Sequence, residues 1–121
     1  MSLESGRIMD ITVNKVNNEL VILKIIGRFN IEEVSRYESK IDEFIGLKTR
    51  YIALDMSEMK YIDSSGIGSL IKSMNMTKNE GLELILLDME PEILNIFKLA
   101  YLDKFFTIQR RDEFMKSYIK K

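Results

Sequence analysis

The 121-residue chain contains neither cysteine nor histidine. The first absence excludes a disulfide framework and thiolate chemistry. Together the two remove the usual ligands of structural zinc and every Ser-His or Cys-His nucleophile pair. No catalytic residue, metal site or cofactor is therefore expected, and the chain is read as a non-enzyme. Charge of one sign is also lacking. Eighteen basic and 19 acidic side chains are interspersed, for a net charge of −1. Without a basic stripe to follow a phosphate backbone, a nucleic-acid partner is not expected. The most apolar run, "LVILKIIG", is short and interrupted by Lys24, which argues against a membrane span. The N-terminus "MSLESGRIMD" has no apolar signal-peptide core, so a cytoplasmic location without membrane contact is expected.

What remains is a globular composition, 45% apolar and 31% charged, of a length that suits one domain. No repeat, low-complexity tract or linker divides it. Residues 1–121 are read as one domain, with 1–7 set outside the fold as appended or disordered residues and Met9 a candidate start. "IMDITVNK" alternates like a half-buried strand, with a phase slip near Ile11. "LVILKII" (20–26) is β-branched and nearly continuous, as in a strand buried on both faces, and the pair is close enough for a hairpin. Gly27 to Asn30 breaks the pattern. Asn30 is a candidate N-cap, with Glu32 and Glu33 in the first turn. Ile31, Val34, Tyr37, Ile41, Phe44 and Ile45 then mark an amphipathic helix. "YIALDM" (51–56) and "LELILLD" (82–88) read as buried strands. Between them Ile67, Leu70, Ile71 and Met74 predict a helix over 65–79. Pro91, the sole proline, suits the first turn of a helix whose buried side is Ile93, Leu94, Ile96 and Phe97. "FFTIQ" (105–109) is a last strand, before a helix with Phe114, Met115, Tyr118 and Ile119 as its apolar face. Strands alternating with helices predict an α/β fold: a mixed, mostly parallel sheet of about five strands packed with about four helices.

One stretch stands out. "YIDSSGIGSL" (61–70) places two hydroxyls and two glycines where a strand gives way to a helix. In open α/β sheets that end of the strands is where sites are usually built. Asp63, Ser64 or Ser65 can each cap the helix. Capping does not explain Gly66 and Gly68, each of which costs about 1 kcal/mol against alanine inside a helix. Close helix-on-sheet packing could require one of them; two suggest access to the hydroxyls or to the first-turn N–H groups. A phosphate is well tolerated at a helix N-terminus, yet its charge would repel a partner docked there.

"MKYIDSSGIGSLI" resembles the signature of the STAS domain in the anti-sigma factor antagonist family. "LKIIGRFN", "YIALDMSEMKYIDSSGIG" and "GLELILLDMEPEILNIFKLAYLDKFFTI" are similar to the family's flanking segments, in the right order along nearly the whole chain. The resemblance implies a small α/β domain that acts by binding. Its partner would be an anti-sigma factor that is also a serine kinase. Phosphorylation of the first serine of the motif, here Ser64, would disable binding, and a serine phosphatase would restore it. Asn30, Asp63, Ser65, Gly66, Ile67 and Gly68 would belong to the partner-binding surface, with Gly66 and Gly68 keeping it open, in a monomer or weak dimer. Two departures stand in the sequence. Asn30 occupies a position where the family usually carries aspartate, which motivates the alternative of a non-switching scaffold in a larger signalling complex. Ala100-Tyr101 replace a common Thr-Gly, so the turn there is expected to differ.

Other features were weighed. Met76 falls off the apolar face of the 65–79 helix, beside Ser69, Lys72 and Ser73. It is a candidate for the docking patch or an ordinary scattered apolar residue. "SLIK" (69–72) matches the S-x-x-K of some acyl enzymes without the accompanying elements. Asp55, Asp63 and Asp88 follow apolar runs and could converge on Mg²⁺, but the first parallel strand ends in "GRFN" without a carboxylate. The lysines of "KSYIKK" suit a solvated helix end.

Overall fold

The computed structural model describes residues 8–119; the expectation for residues 1–7 lies outside them. The elements are β1 (Met9–Lys15), β2 (Leu20–Phe29), a 3₁₀ turn (Ile31–Glu33), α1 (Val34–Asp42), β3 (Tyr51–Asp55), β4 (Met59–Ile62), α2 (Ser64–Asn79), β5 (Glu83–Leu87), α3 (Pro91–Leu99), β6 (Thr107–Gln109) and α4 (Arg111–Ile119). The six strands form one mixed sheet in the order β1-β2-β3-β5-β6, with β4 paired to the far end of β2. The β1–β2 hairpin is antiparallel; every other pairing is parallel. The α/β class and the mostly parallel sheet follow the sequence pattern.

Two strand boundaries differ from the periodicity. β4 was not visible because only its ends, Met59 and Ile62, are buried, while Lys60 and Tyr61 between them are exposed. That spacing has no period of two. β2 runs through Gly27 to Phe29 instead of stopping. Gly27 takes φ +99°, and the register with β4 slips between Gly27 and Arg28, so the glycine makes a bulge rather than an end. The last strand is shorter than read: Phe105 and Phe106 lie in the preceding turn, where Phe106 is buried.

Side chains leave the sheet in both directions. Val21, Leu23 and Ile25 of β2 join Ile52, Leu54, Leu84 and Leu86 beneath α1, α2 and α3, which contribute Tyr37, Ile41, Leu70, Ile93 and Phe97. On the other face Leu20, Ile22, Ala53, Ile85 and Leu87 are covered by Phe114 of α4. Burial on both faces explains why the β2, β3 and β5 runs are almost continuously apolar.

The helix faces need four corrections. Ile31 belongs to the 3₁₀ turn and is 68% exposed; Phe44 and Ile45 lie beyond the end of α1, although Phe44 is buried. Ile96 and Ile119 are exposed rather than core. Ser69 and Ser73 were placed on an outer face, yet both are buried, as is Thr77, because α1 packs there. Met76 is half-buried against the core, not exposed. The small hydroxyls satisfy themselves locally, Ser73 donating to the Leu70 carbonyl at 2.9 Å and Thr77 to that of Met74 at 3.0 Å. With its proton so engaged, Ser73 Oγ accepts from the Tyr37 hydroxyl at 2.7 Å. Burial of Tyr37 pushes its phenol well above the ordinary range.

The α3 terminus overturns one expectation. Tyr101 N–H bonds to the Lys98 carbonyl at 3.1 Å and Leu102 N–H to that of Phe97 at 2.8 Å, the two bonds of a Schellman motif. Tyr101 takes φ +58°. The turn is therefore of the glycine-favouring kind, not a different one, and a tyrosine occupies its left-handed position.

Two outcomes follow. Tyr101→Gly should raise stability by roughly 0.5–1 kcal/mol, the left-handed penalty removed less the added freedom of the unfolded chain; an unchanged or lower urea midpoint would contradict this. Tyr37 stays protonated in the fold above the pH, about 10, at which an unfolded tyrosine ionises. Its contribution is thus complete below that pH and declines as pH rises above it. Tyr37→Phe should lose about 1 kcal/mol at neutral pH and show a shallower alkaline decline, read from urea midpoints between pH 8 and 12.

Candidate functional site

The last residues of β2 and β4, Phe29 and Ile62, are paired, so the segments that follow them emerge side by side. On one, Asn30 Oδ1 accepts the Glu32 N–H at 3.0 Å and caps the 3₁₀ turn. On the other, Asp63 is extended, donates its N–H to the Phe29 carbonyl at 3.2 Å and accepts the Gly66 N–H at 2.9 Å through Oδ1. Of the three possible caps of α2, Asp63 is the one used. Ser64 is left as the first helical residue, exposed, with its hydroxyl bonded to none of the described residues. Ser65 is half-buried beside it. The N–H groups of this first turn have no intrahelical carbonyl partner, and the helix dipole makes the position favourable for negative charge.

The glycines divide. A Cβ on Gly66 would lie 2.7 Å from the Phe29 carbonyl oxygen and 2.8 Å from Ile62 Cγ1. Gly66 is buried and lets α2 seat on the strand ends, so its lack of a side chain is required by packing. A Cβ on Gly68 would meet nothing within 4 Å, and Gly68 is exposed. Packing accounts for the first glycine and leaves the second to access. Ile67, half-buried, packs against the core.

Gly68 and Ser65 line an open groove of about 430 Å³ between α1 and α2, with Ile31, Val34, Glu38 and Lys72. Glu38 is fixed there by Ser69 at 3.0 Å and by Lys72 at 3.4 Å. Ile31 was missed as a surface residue because it follows directly on a cap and fits the helical spacing of the core. Met76 lies twelve residues beyond Ser64, about 18 Å along the helix axis at 1.5 Å per residue, and lines a small cavity of about 70 Å³ that shares Glu38 and Lys72 with the groove. The structure therefore brings Asn30, Asp63, Ser64, Ser65, Ile67 and Gly68 to one end of the sheet, with Met76 further along α2 at the far side of the groove.

The strand-end carboxylates do not converge. Asp55 is buried and accepts from Ser57 and Arg111; Asp88 accepts the Arg111 N–H at 2.9 Å; Asp63 is occupied as a cap. Among the described residues no three acidic groups come close enough to hold a metal ion, and no helix is long and apolar enough to cross a membrane.

A sheet of this order, with its exposed serine at the β4–α2 junction, defines a class that comparison identifies. The sequence profile of the STAS domain matches residues 11–114, and the chain belongs to this family. Its fold is similar to that of the anti-sigma factor antagonist SpoIIAA in its unphosphorylated form (TM-score 0.78, 19% identity, covering 93% of this chain and 98% of that one). It is likewise similar to Bacillus SpoIIAA in the phosphorylated form (0.70, 21%, 90% and 99%). An anti-sigma factor antagonist from Mycobacterium paratuberculosis matches at 0.79 and 15% identity, over 97% of both chains. At these identities the likeness is one of fold.

The two glycines should respond oppositely to alanine. Gly66→Ala forces backbone and Ile62 apart and should cost about 1–3 kcal/mol. Gly68→Ala should gain about 1 kcal/mol by helix propensity. Equal effects in thermal unfolding would refute this division.

Proposed function

We propose that the chain is an anti-sigma factor antagonist, a binding module switched by phosphorylation of Ser64. Its partner is a serine kinase that doubles as an anti-sigma factor. Addition of phosphate releases that partner, and a serine phosphatase reverses the change. The observation that carries this reading is the division of labour at the α2 N-terminus. Asp63 does the capping, so the neighbouring Ser64 hydroxyl is exposed and unengaged. A phosphate there adds about −1.5 to −2 charges where the helix dipole tolerates them, so the fold survives while the docking surface gains negative charge. The likeness to SpoIIAA in both its unphosphorylated and phosphorylated forms supports the same reading. Gly68, Ser65 and Ile31 would meet the partner beside Ser64; Gly66 acts beneath the surface by seating the helix.

A second reading, a non-switching scaffold in a larger complex, is favoured by Asn30. Its side chain is neutral and committed to the cap of the 3₁₀ turn, so no carboxylate stands at that point beside the serine.

The two readings separate on the purified chain mixed with ATP and the serine kinase/anti-sigma factor of the same organism. The switch predicts one added phosphate by intact mass, absent in Ser64→Ala. It also predicts binding by Ser64→Ala and at least about tenfold weaker binding by Ser64→Asp, a loss of about 1.4 kcal/mol. No phosphate, with equal binding by both variants, would establish the scaffold instead.

A further inference from the structure

Beside the serine, the β2–β4 pairing presents an arginine on a tyrosine. The Arg28 guanidinium carbon lies 4.0 Å from the centre of the Tyr61 ring. Both residues are exposed, Tyr61 by 37%. They pair across the strands immediately before Phe29 and Ile62, so the pair adjoins the segments that carry Asn30 and Ser64.

The arrangement depends on the bulge. Gly27 pairs with Met59 and Arg28 with Tyr61, one residue of β4 being passed over. In unbroken register Arg28 would face Lys60, a like charge; the slip gives it an aromatic ring instead. Bulges commonly re-aim a side chain in this way. Stacking holds the guanidinium plane while leaving its edge donors outward, and a bidentate carboxylate is what that fork fits.

No carboxylate of the described residues takes that place. Of the acidic groups of the adjoining segments, Asp10 pairs with Arg36 at 3.7 Å, Glu33 also with Arg36, Glu58 with Lys24, and Glu90 with Lys60 at 3.2 Å, while exposed Glu32 makes no ion pair with Arg28. Asp63 is occupied with the Gly66 N–H. Arg28 is thus an oriented cation without an anion, at the edge of the proposed docking surface.

The geometry points to Arg28 on Tyr61 as a recognition element for an Asp or Glu side chain of the partner protein. This rests on the reading of the Ser64 surface as the docking site, and it adds which charge the partner must present there. Arginine and tyrosine are the residue types that most often dominate such contacts. Because the pair is exposed, its contribution should depend on salt.

The test measures binding to the serine kinase/anti-sigma factor at low and high salt. Arg28→Gln, made in a Ser64→Ala background so that no phosphate on this chain can serve as the anion, should bind about tenfold or more weakly at low salt. The deficit should shrink as salt rises. Arg28→Lys should recover only part of the loss, and Tyr61→Ala should weaken binding although the charge remains. Unfolding midpoints of the variants serve as the control for folding. If Arg28→Gln binds as its parent does while Ser64→Asp fails to bind, the recognition element is overturned and the switch stands. If Arg28→Gln fails while Ser64→Asp binds like wild type, the switch is overturned and the recognition element stands.

Discussion

The approach of Gly66 to the Phe29 carbonyl sets the geometry of this end of the molecule. Room for a hydrogen but not for a methyl at 2.7 Å allows α2 to begin directly above the ends of β2 and β4. Phe29 takes part on all sides: its carbonyl accepts the Asp63 N–H, its side chain is fully buried, and its ring lies 5.0 Å from that of Tyr37. A bulkier residue at position 66 would lift the helix start. It would also disturb the Asp63 cap, and with it the presentation of Ser64. The glycine thus acts on the surface through a buried contact.

The same packing explains how a charged switch could sit on an otherwise ordinary fold. Its supports lie between α1 and α2, away from the helix start. α1 and α2 are joined by Tyr37 and Ser73 within the interface and by Glu38, Ser69 and Lys72 at its rim. None of these bonds uses the Ser64 hydroxyl. New charge at that position therefore leaves the native hydrogen bonds intact and acts mainly on whatever approaches from outside.

Much of this was legible in the sequence, and the reasons for the exceptions are specific. Nearly continuous apolar runs located β2, β3 and β5, because burial on both faces leaves no room for alternation. The D-S-S-G stretch located the strand-to-helix junction and so the candidate site, since capping and glycine costs are local. It could not say which residue caps, because three adjacent side chains have that capacity; the structure assigns it to Asp63. Nor could it separate Gly66 from Gly68, because the clash at Gly66 comes from Phe29, 37 positions earlier in the chain. Ser69 and Ser73 were misplaced for a related reason. Ser73 bonds within its own helix and Ser69 to Glu38 of α1; hydroxyls so satisfied can be buried between helices, and polarity alone does not reveal it. Tyr101 shows the reverse case, in which a local preference for glycine is overruled by the hydrogen-bonding geometry at the end of α3.

The single-helix cover of the second sheet face has a consequence for biosynthesis. Leu20, Ile22, Ala53, Ile85 and Leu87 are assembled from three strands, but Phe114 belongs to α4, which follows all of them in the chain. While the chain is still being made, its leading strands can pair and collect α1 to α3 on one side, yet the opposite apolar side has no lid. Only when α4 has left the ribosome can it fold down over that face. Until then the nascent chain carries an exposed apolar side, the interval in which chaperone protection matters most.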